Sequence, residues 1–256
     1  MKYLFVISAY PENDYRQKIF DEIISPRNKD YCELHGFKYV EIRKEHNPVP
    51  FRGNLTWNKY SVIKELLDSN RLIDGDCIIN IDADQYIVNL NVDLTTAKSF
   101  SYAIDSCNSQ CNSLLSFKVN SWSRRFINEI LSEERWNRLK DKGSFHDGFP
   151  GKYNSFAKEF REQSQMYALF GIKRHSNISF WDLPNNGWHS EVTSDCIYSL
   201  DELRENVEIW PSCYNVTSFE GEYEGMFFMN KCKKEDVVTR HFAGGQDWRL
   251  IRNWIN

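Results

Sequence analysis

The sequence predicts an α/β chain built on a Rossmann-like, mainly parallel sheet flanked by helices, with a pair of acids at the end of one strand. Three observations carry this. Strand and helix periodicities alternate β-α-β-α-β between residues 3 and 81, the pattern of a parallel sheet with crossover helices. The third strand segment, Cys77-Ile-Ile-Asn-Ile81, is nearly unbroken and β-branched, as expected of a central strand covered on both faces. Asp82-Ala83-Asp84 follows it directly, at the carboxyl edge where open α/β sheets hold their ligands.

The elements follow in order. An apolar strand spans residues 3–9, and an amphipathic helix covers Tyr15 to His35 with Ile19, Phe20, Ile23 and Ile24 on one face, ended by Gly36. Lys38-Tyr-Val-Glu-Ile42 alternates as a second strand. After a Pro and Gly loop, Val62, Ile63, Leu66 and Leu67 mark a helix from about Asn58 to Ser69. Leu114 to Val119 is a further strand. Ser123 to Leu139 and Ser155 to Phe170 read as helices, and residues 141–154 and 173–197 as loops. Val237 to Phe242 reads as a strand entering a Gly244-Gly245 turn, and Trp248 to Trp254 as a short last helix.

At 256 residues, 41% hydrophobic, the chain suits one sizeable domain spanning 1–256. Its charge of −4, with 32 basic residues scattered among 36 acidic ones, leaves no basic stripe, which sets nucleic acid aside. Seven widely spaced cysteines are odd in number and suit a reducing compartment better than a disulfide framework. No run approaches the ~18 apolar residues of a membrane helix, and the short apolar start lacks the cleavage site of a signal peptide. The expectation is a cytoplasmic, soluble protein.

Two carboxylates crowded at a strand end repel unless a cation joins them. Asp82 and Asp84 therefore read as ligands of a divalent metal whose open positions accept diphosphate oxygens. A bare D-x-D also fits two solvated acids. It fits, too, a dehalogenase-type phosphatase, although that chemistry wants the motif on the first strand, with Thr or Val where Tyr86 stands. His241, ending a strand before Phe-Ala-Gly-Gly, is the candidate third ligand, and an imidazole favours Mn²⁺ over Mg²⁺. The glycines beyond it, Gly244 among them, let backbone approach phosphate.

Ordered landmarks then appear along most of the chain: Trp57-x-Lys59, Asp82-Ala83-Asp84, Asn120-Ser-Trp-Ser123, Glu162-Gln163-Ser164 with Tyr167, and His241-Phe-Ala-Gly244. Together they resemble glycosyltransferase family 34, the fungal galactosyl- and mannosyltransferases and plant xyloglucan xylosyltransferases of GT-A fold. The resemblance implies a mixed, mainly parallel sheet, residues 1–100 as the nucleotide-binding half and 101–256 as the acceptor and catalytic half. It implies a nucleotide-sugar donor carrying UDP or GDP, a glycan or other hydroxyl acceptor, and transfer with retention. Asp82, Asp84 and His241 hold Mn²⁺ (or Mg²⁺) on this basis. Gln163 lies at the anomeric carbon and Glu162 on the donor sugar. Three positions depart from the family pattern: Val119 replaces an arginine, Glu162 an aspartate and Gly245 a cysteine. The Golgi anchor of many members is missing too, so a bacterial or viral soluble relative is the closer picture.

The donor-binding set expected is Ser8, Tyr10, Trp57, Lys59, Asp82, Ala83, Asn120 and Gly244. Lys59 suits either the diphosphate or a solvated helix start, and Tyr10 either base stacking or packing under a loop. In the aromatic segment 180–189, Trp181, Trp188 and His189 suit an acceptor sugar, or a packing plug. A non-catalytic nucleotide-sugar or carbohydrate-binding module of the same fold is the alternative.

Overall fold

The structure, a computed structural model, describes residues 1–8, 10, 14–44, 55–104, 110–139, 162–170, 196–217 and 232–242. The chain divides into two compact units, one made of Met1–Glu45, Gly75–Lys118 and Ile209–Asn256, the other of His46–Asp74 and Val119–Glu208.

The strands among the described residues are β1 (Lys2–Ile7), β2 (Lys38–Ile42), β3 (Cys77–Asp82), β4 (Gln85–Ile87), β5 (Phe100–Ile104), β6 (Gln110–Lys118), β7 (Val207–Trp210) and β8 (Thr239–His241). Six of them form one sheet in the order β2-β1-β3-β6-β5-β7, while β4 and β8 pair separately. β1 is parallel to both β2 and β3, with Val6 opposite Ile81 and Ile7 opposite Asp82. β6 runs antiparallel to β3 and to β5, so β5 points the same way as β3 and the sheet is mixed but mainly parallel. Ile78, Ile79 and Ile81 of β3 are fully buried, with Leu4 and Val6 of β1 beside them. This is the burial that the β-branched run foretells.

Helices α1 (Tyr15–Ile19) and α2 (Ser25–His35) are joined by a π turn, Phe20–Ile24, where sequence periodicity predicts one unbroken helix. The cause stands next to it. Pro26 has no N–H, and its ring clashes with the carbonyl four residues back in a regular helix, so the turn before it widens. Asp14 caps the start through the Arg16 N–H (2.9 Å), and Gly36 closes the end at φ 69°, a left-handed position that suits a residue without Cβ. From α2, Arg27 donates to the carbonyls of Ile87 (2.8 Å) and Val88 (2.7 Å), and its guanidinium lies over the Tyr86 ring. That fixes β4 to the helix.

The second unit contains α3 (Asn58–Asp68), α4 (Ser121–Ile130), α5 (Glu133–Leu139), α6 (Glu162–Phe170) and α7 (Leu200–Asn206). The helix expected over 123–139 is two helices, because Ser132 acts as a cap. Its hydroxyl accepts from the Arg135 N–H (3.2 Å) and its carbonyl from the Trp136 N–H (3.0 Å), restarting the helix at Glu133. An aromatic cluster packs this unit: Trp122 stacks on Phe126 at 5.7 Å, Phe126 meets Phe170 at 5.5 Å, and Tyr198 lies 5.1 Å from Trp122. The predicted segments 155–161 and 248–254 and the predicted loops within 141–154 and 173–195 lie outside the described residues. Among the described residues, no helix is long and apolar enough to cross a membrane.

Candidate metal centre

Asp82 is the last residue of β3, and Ala83, small and buried, turns the chain toward Asp84 and β4. β4 pairs antiparallel with β8, which sets Gln85 opposite His241. The Phe242 N–H then bonds the Asp84 carbonyl at 2.9 Å, so backbone pairing carries the histidine to the acids from the far end of the chain. One ligand atom from each of Asp82, Asp84 and His241 lies within 4.8 Å of the other two. The His241 Nε2 is 3.4 Å from Asp84 Oδ1.

Electrostatics follow from that closeness. His241 is buried, and burial alone disfavours a charged ring. The Asp84 carboxylate, acting by charge and hydrogen bond, and then the Cys111 thiol overcome this and hold the imidazole pKa well above its ordinary 6.5. Asp84 thus favours the protonated ring. Two carboxylates and one imidazole form an oxygen and nitrogen donor set that would suit a divalent ion in place of a proton.

Tyr10 belongs to the same neighbourhood. Burial, and then the charges of Asp84 and Asp82, push its hydroxyl pKa well above the usual phenol value, so it stays protonated near the acids. Its ring carries the Arg16 guanidinium at 4.8 Å, itself held by Asp14, and packs against the hydrophobic core. Ser8 follows the Ile7–Asp82 pairing, its N–H bonded to the Ile42 carbonyl at 3.0 Å. Among the described residues its buried hydroxyl has no hydrogen-bond partner.

Behind the ligands lies a buried polar network that sequence reasoning did not find. The Gln85 amide donates to Thr239 Oγ1 (2.5 Å) and Asn215 Oδ1 (3.4 Å), and the Ser113 hydroxyl donates to the same Asn215 oxygen (2.9 Å). Thr239 in turn donates to the Tyr214 carbonyl. Gln85, Thr239 and Asn215 are fully buried. Gln85 adjoins Asp84 and Thr239 is two residues before His241, so the network bolts both ligand-bearing strands to the 212–216 turn. The only trace in the sequence is a polar residue at a strand position where an apolar one is expected, and that is too common to single out.

The remaining expected site residues occupy the second unit. Trp57 is buried in the turn Leu55–Trp57 that opens α3, and Lys59 is buried in its first turn, which excludes the solvated reading of that lysine. Asn120 is the N-cap of α4, its side-chain oxygen accepting from the Ser123 N–H at 2.9 Å while Ser123 answers in a capping box. Glu162, at the start of α6, is buried and accepts a hydrogen bond from Thr56, and Gln163 beside it is half-buried. Gly244, Trp181, Trp188 and His189 lie outside the described residues.

No family model and no curated protein sequence matches this chain. Solved structures do. A glycosyltransferase involved in glycosylation of the major capsid of PBCV-1 aligns over 99% of this chain and 98% of its own at 11% identity, with a TM-score of 0.48. The galactosyltransferase LgtC, solved with donor and acceptor sugar analogues, aligns over 96% and 88% at 12% identity, with a TM-score of 0.46. A Drosophila β-1,4-galactosyltransferase 7 variant, solved with manganese, UDP-Gal and xylobiose, aligns over 51% and 52% at 10% identity, with a TM-score of 0.32. Scores below 0.5 transfer neither activity nor residue roles.

Proposed function

We propose that this chain is a metal-dependent glycosyltransferase of GT-A fold, moving a sugar from a UDP or GDP donor to a glycan or other hydroxyl acceptor with retention of configuration. One observation carries the reading: Asp82, Asp84 and His241 converge within 4.8 Å at the carboxyl end of a buried strand. Such a site suits a reaction in which negative charge builds up on a departing diphosphate.

A divalent ion there supplies charge neutralisation for the departing diphosphate. Asp82 and Asp84 offer carboxylate oxygens and His241 its Nε2, and the imidazole favours Mn²⁺ over Mg²⁺. The Tyr10 hydroxyl, kept protonated, is suited to donate a hydrogen bond to a bound anion or ribose. On the family resemblance, Gln163 and Glu162 serve the sugar. An amide is a poor nucleophile, so the Gln163 oxygen supports positive charge on the sugar while the acceptor oxygen bonds to the anomeric carbon and the bond to the diphosphate breaks. The acceptor hydroxyl's proton passes to the departing diphosphate oxygen.

A second reading, a nucleotide-sugar-binding module without turnover, is favoured by Val119. It is apolar and buried where the resembled family carries an arginine. A thermal-shift panel of nucleoside diphosphates with and without Mn²⁺, followed by donor-turnover assays, separates the two. A diphosphate shift that needs Mn²⁺ together with donor hydrolysis or transfer supports the transferase. A shift without turnover across many acceptors supports the module, and no shift with any nucleotide refutes both.

A further inference from the structure

We infer that Thr56 is a positioning residue for Glu162: its hydroxyl holds one carboxylate oxygen, so that the other accepts a hydrogen bond from a hydroxyl of the donor sugar. The inference rests on the proposed reading of Glu162 as a group that serves that sugar. Thr56 lies in the Leu55–Trp57 turn that opens α3, and Glu162 is the first residue of α6. Residues 106 positions apart thus meet within the second unit, where the Thr56 hydroxyl donates to Glu162 Oε2. Both ends of this bond sit on anchored backbone. Trp57, next to Thr56, is buried, while Met166, Leu169 and Phe170 bury one side of α6, with Phe170 stacked on Phe126 of α4 at 5.5 Å. Threonine is β-branched and stiff at χ1, so a fixed turn also fixes where its hydroxyl stands.

The carboxylate is short of donors for its burial. Glu162 is only 4% exposed, yet among the described residues Thr56 is its one hydrogen-bond partner and Oε1 has none. A carboxylate offers roughly four acceptor positions and tolerates burial where donors fill them. A sugar hydroxyl supplies such a donor. A free glutamate side chain has several rotatable bonds and loses that freedom when a ligand orders it, whereas a carboxylate already held at Oε2 has lost it beforehand. Thr56 therefore strengthens the contact of Glu162 with the sugar without touching the sugar itself. A nucleoside diphosphate lacks the transferred sugar, so the effect of Thr56 belongs to the nucleotide sugar alone.

The test is titration calorimetry on the full chain with Mn²⁺ present, comparing UDP and GDP with UDP-galactose, UDP-glucose and GDP-mannose. Thr56→Val keeps the side-chain shape and removes the O–H. It is expected to weaken the nucleotide sugar that the wild type binds by about tenfold, while the matching nucleoside diphosphate stays within about twofold. Thr56→Ser restores the O–H and is expected to recover the affinity for the nucleotide sugar. In a Glu162→Ala background, Thr56→Val is expected to add no further loss, because its effect runs through the carboxylate. Equal weakening of sugar and diphosphate, no weakening of either, Thr56→Ser as weak as Thr56→Val, or a full extra loss in the Glu162→Ala background would each overturn the inference and leave the donor-site reading standing. A wild-type chain that binds none of these nucleotides overturns that reading, and the role of Thr56 with it.

Discussion

β3 and β8 each end on a candidate metal ligand, yet they reach that place by opposite means. β3 has six residues, lies between β1 and β6 in the large sheet, and owes its position to three fully buried isoleucines. β8 has three residues, pairs with β4 in its own two-stranded sheet and bridges Val216 through Arg240, and is held at its back by the Gln85–Asn215–Thr239 hydrogen bonds. Apolar burial is non-directional and tolerates small shifts, whereas a polar network fixes angle and register and fails if one member is lost. Asp82 is therefore placed by bulk packing and His241 by specific hydrogen bonds.

That contrast can be broken or sharpened by experiment. Asp84→Ala removes a ligand and the carboxylate facing His241, and Mn²⁺-dependent thermal stabilisation is expected to vanish, with metal affinity down more than ~100-fold. A variant that still binds Mn²⁺ at near wild-type strength ends the metal-centre reading. Ile79→Ala carves a cavity beside β3 and is expected to cost about 2–5 kcal/mol in denaturant unfolding while leaving the metal affinity of the folded protein almost unchanged. Gln85→Leu is expected to do the reverse. Titration should show Mn²⁺ affinity reduced about 10–100-fold for a stability loss of only about 1–3 kcal/mol. If Ile79→Ala weakens the metal site as much as Gln85→Leu does, the two strands are not held differently.

The smallest effect concerns pH. Because the folded-state pKa of His241 is raised, the metal-free protein draws stability from the protonated ring below the ordinary value of 6.5 and loses it as pH rises through the raised value. Mn²⁺ competes with that proton. Its affinity is expected to fall about tenfold for each pH unit below the raised value and to level off above it, and His241→Gln should flatten the profile. A wild-type profile that is already flat shows that His241 is not a ligand.

How much was legible in the sequence follows the same division. The apolar run 77–81, the alternation at 38–42 and the acids after Ile81 appear in the structure where periodicity puts them, since burial writes itself into residue type. His241 could be proposed from its place at a strand end, but its distance from Asp84 depends on β4 pairing with β8, and three-residue strands leave almost no pattern. β5 lies outside the predicted elements although Phe100, Tyr102 and Ile104 alternate with Ser101 and Ala103, because a five-residue run is too short for its period to stand out. The antiparallel direction of β6 was beyond reach of the residues alone, because the periodicity of a strand carries no sign of its direction. Ser132, read as one more helix residue, turned out to be a cap because its hydroxyl competes locally for backbone N–H groups.

The strand-bearing unit is assembled from three separate stretches of chain, the last beginning at Ile209. During synthesis Asp82 and Asp84 leave the ribosome well before His241. The acids spend that interval without their histidine, and β4 without its partner strand. Nascent chains halted before residue 239 therefore lack both, and the proposed metal site is complete only when the segment 239–241 docks, a long-range closure of the kind that slows folding.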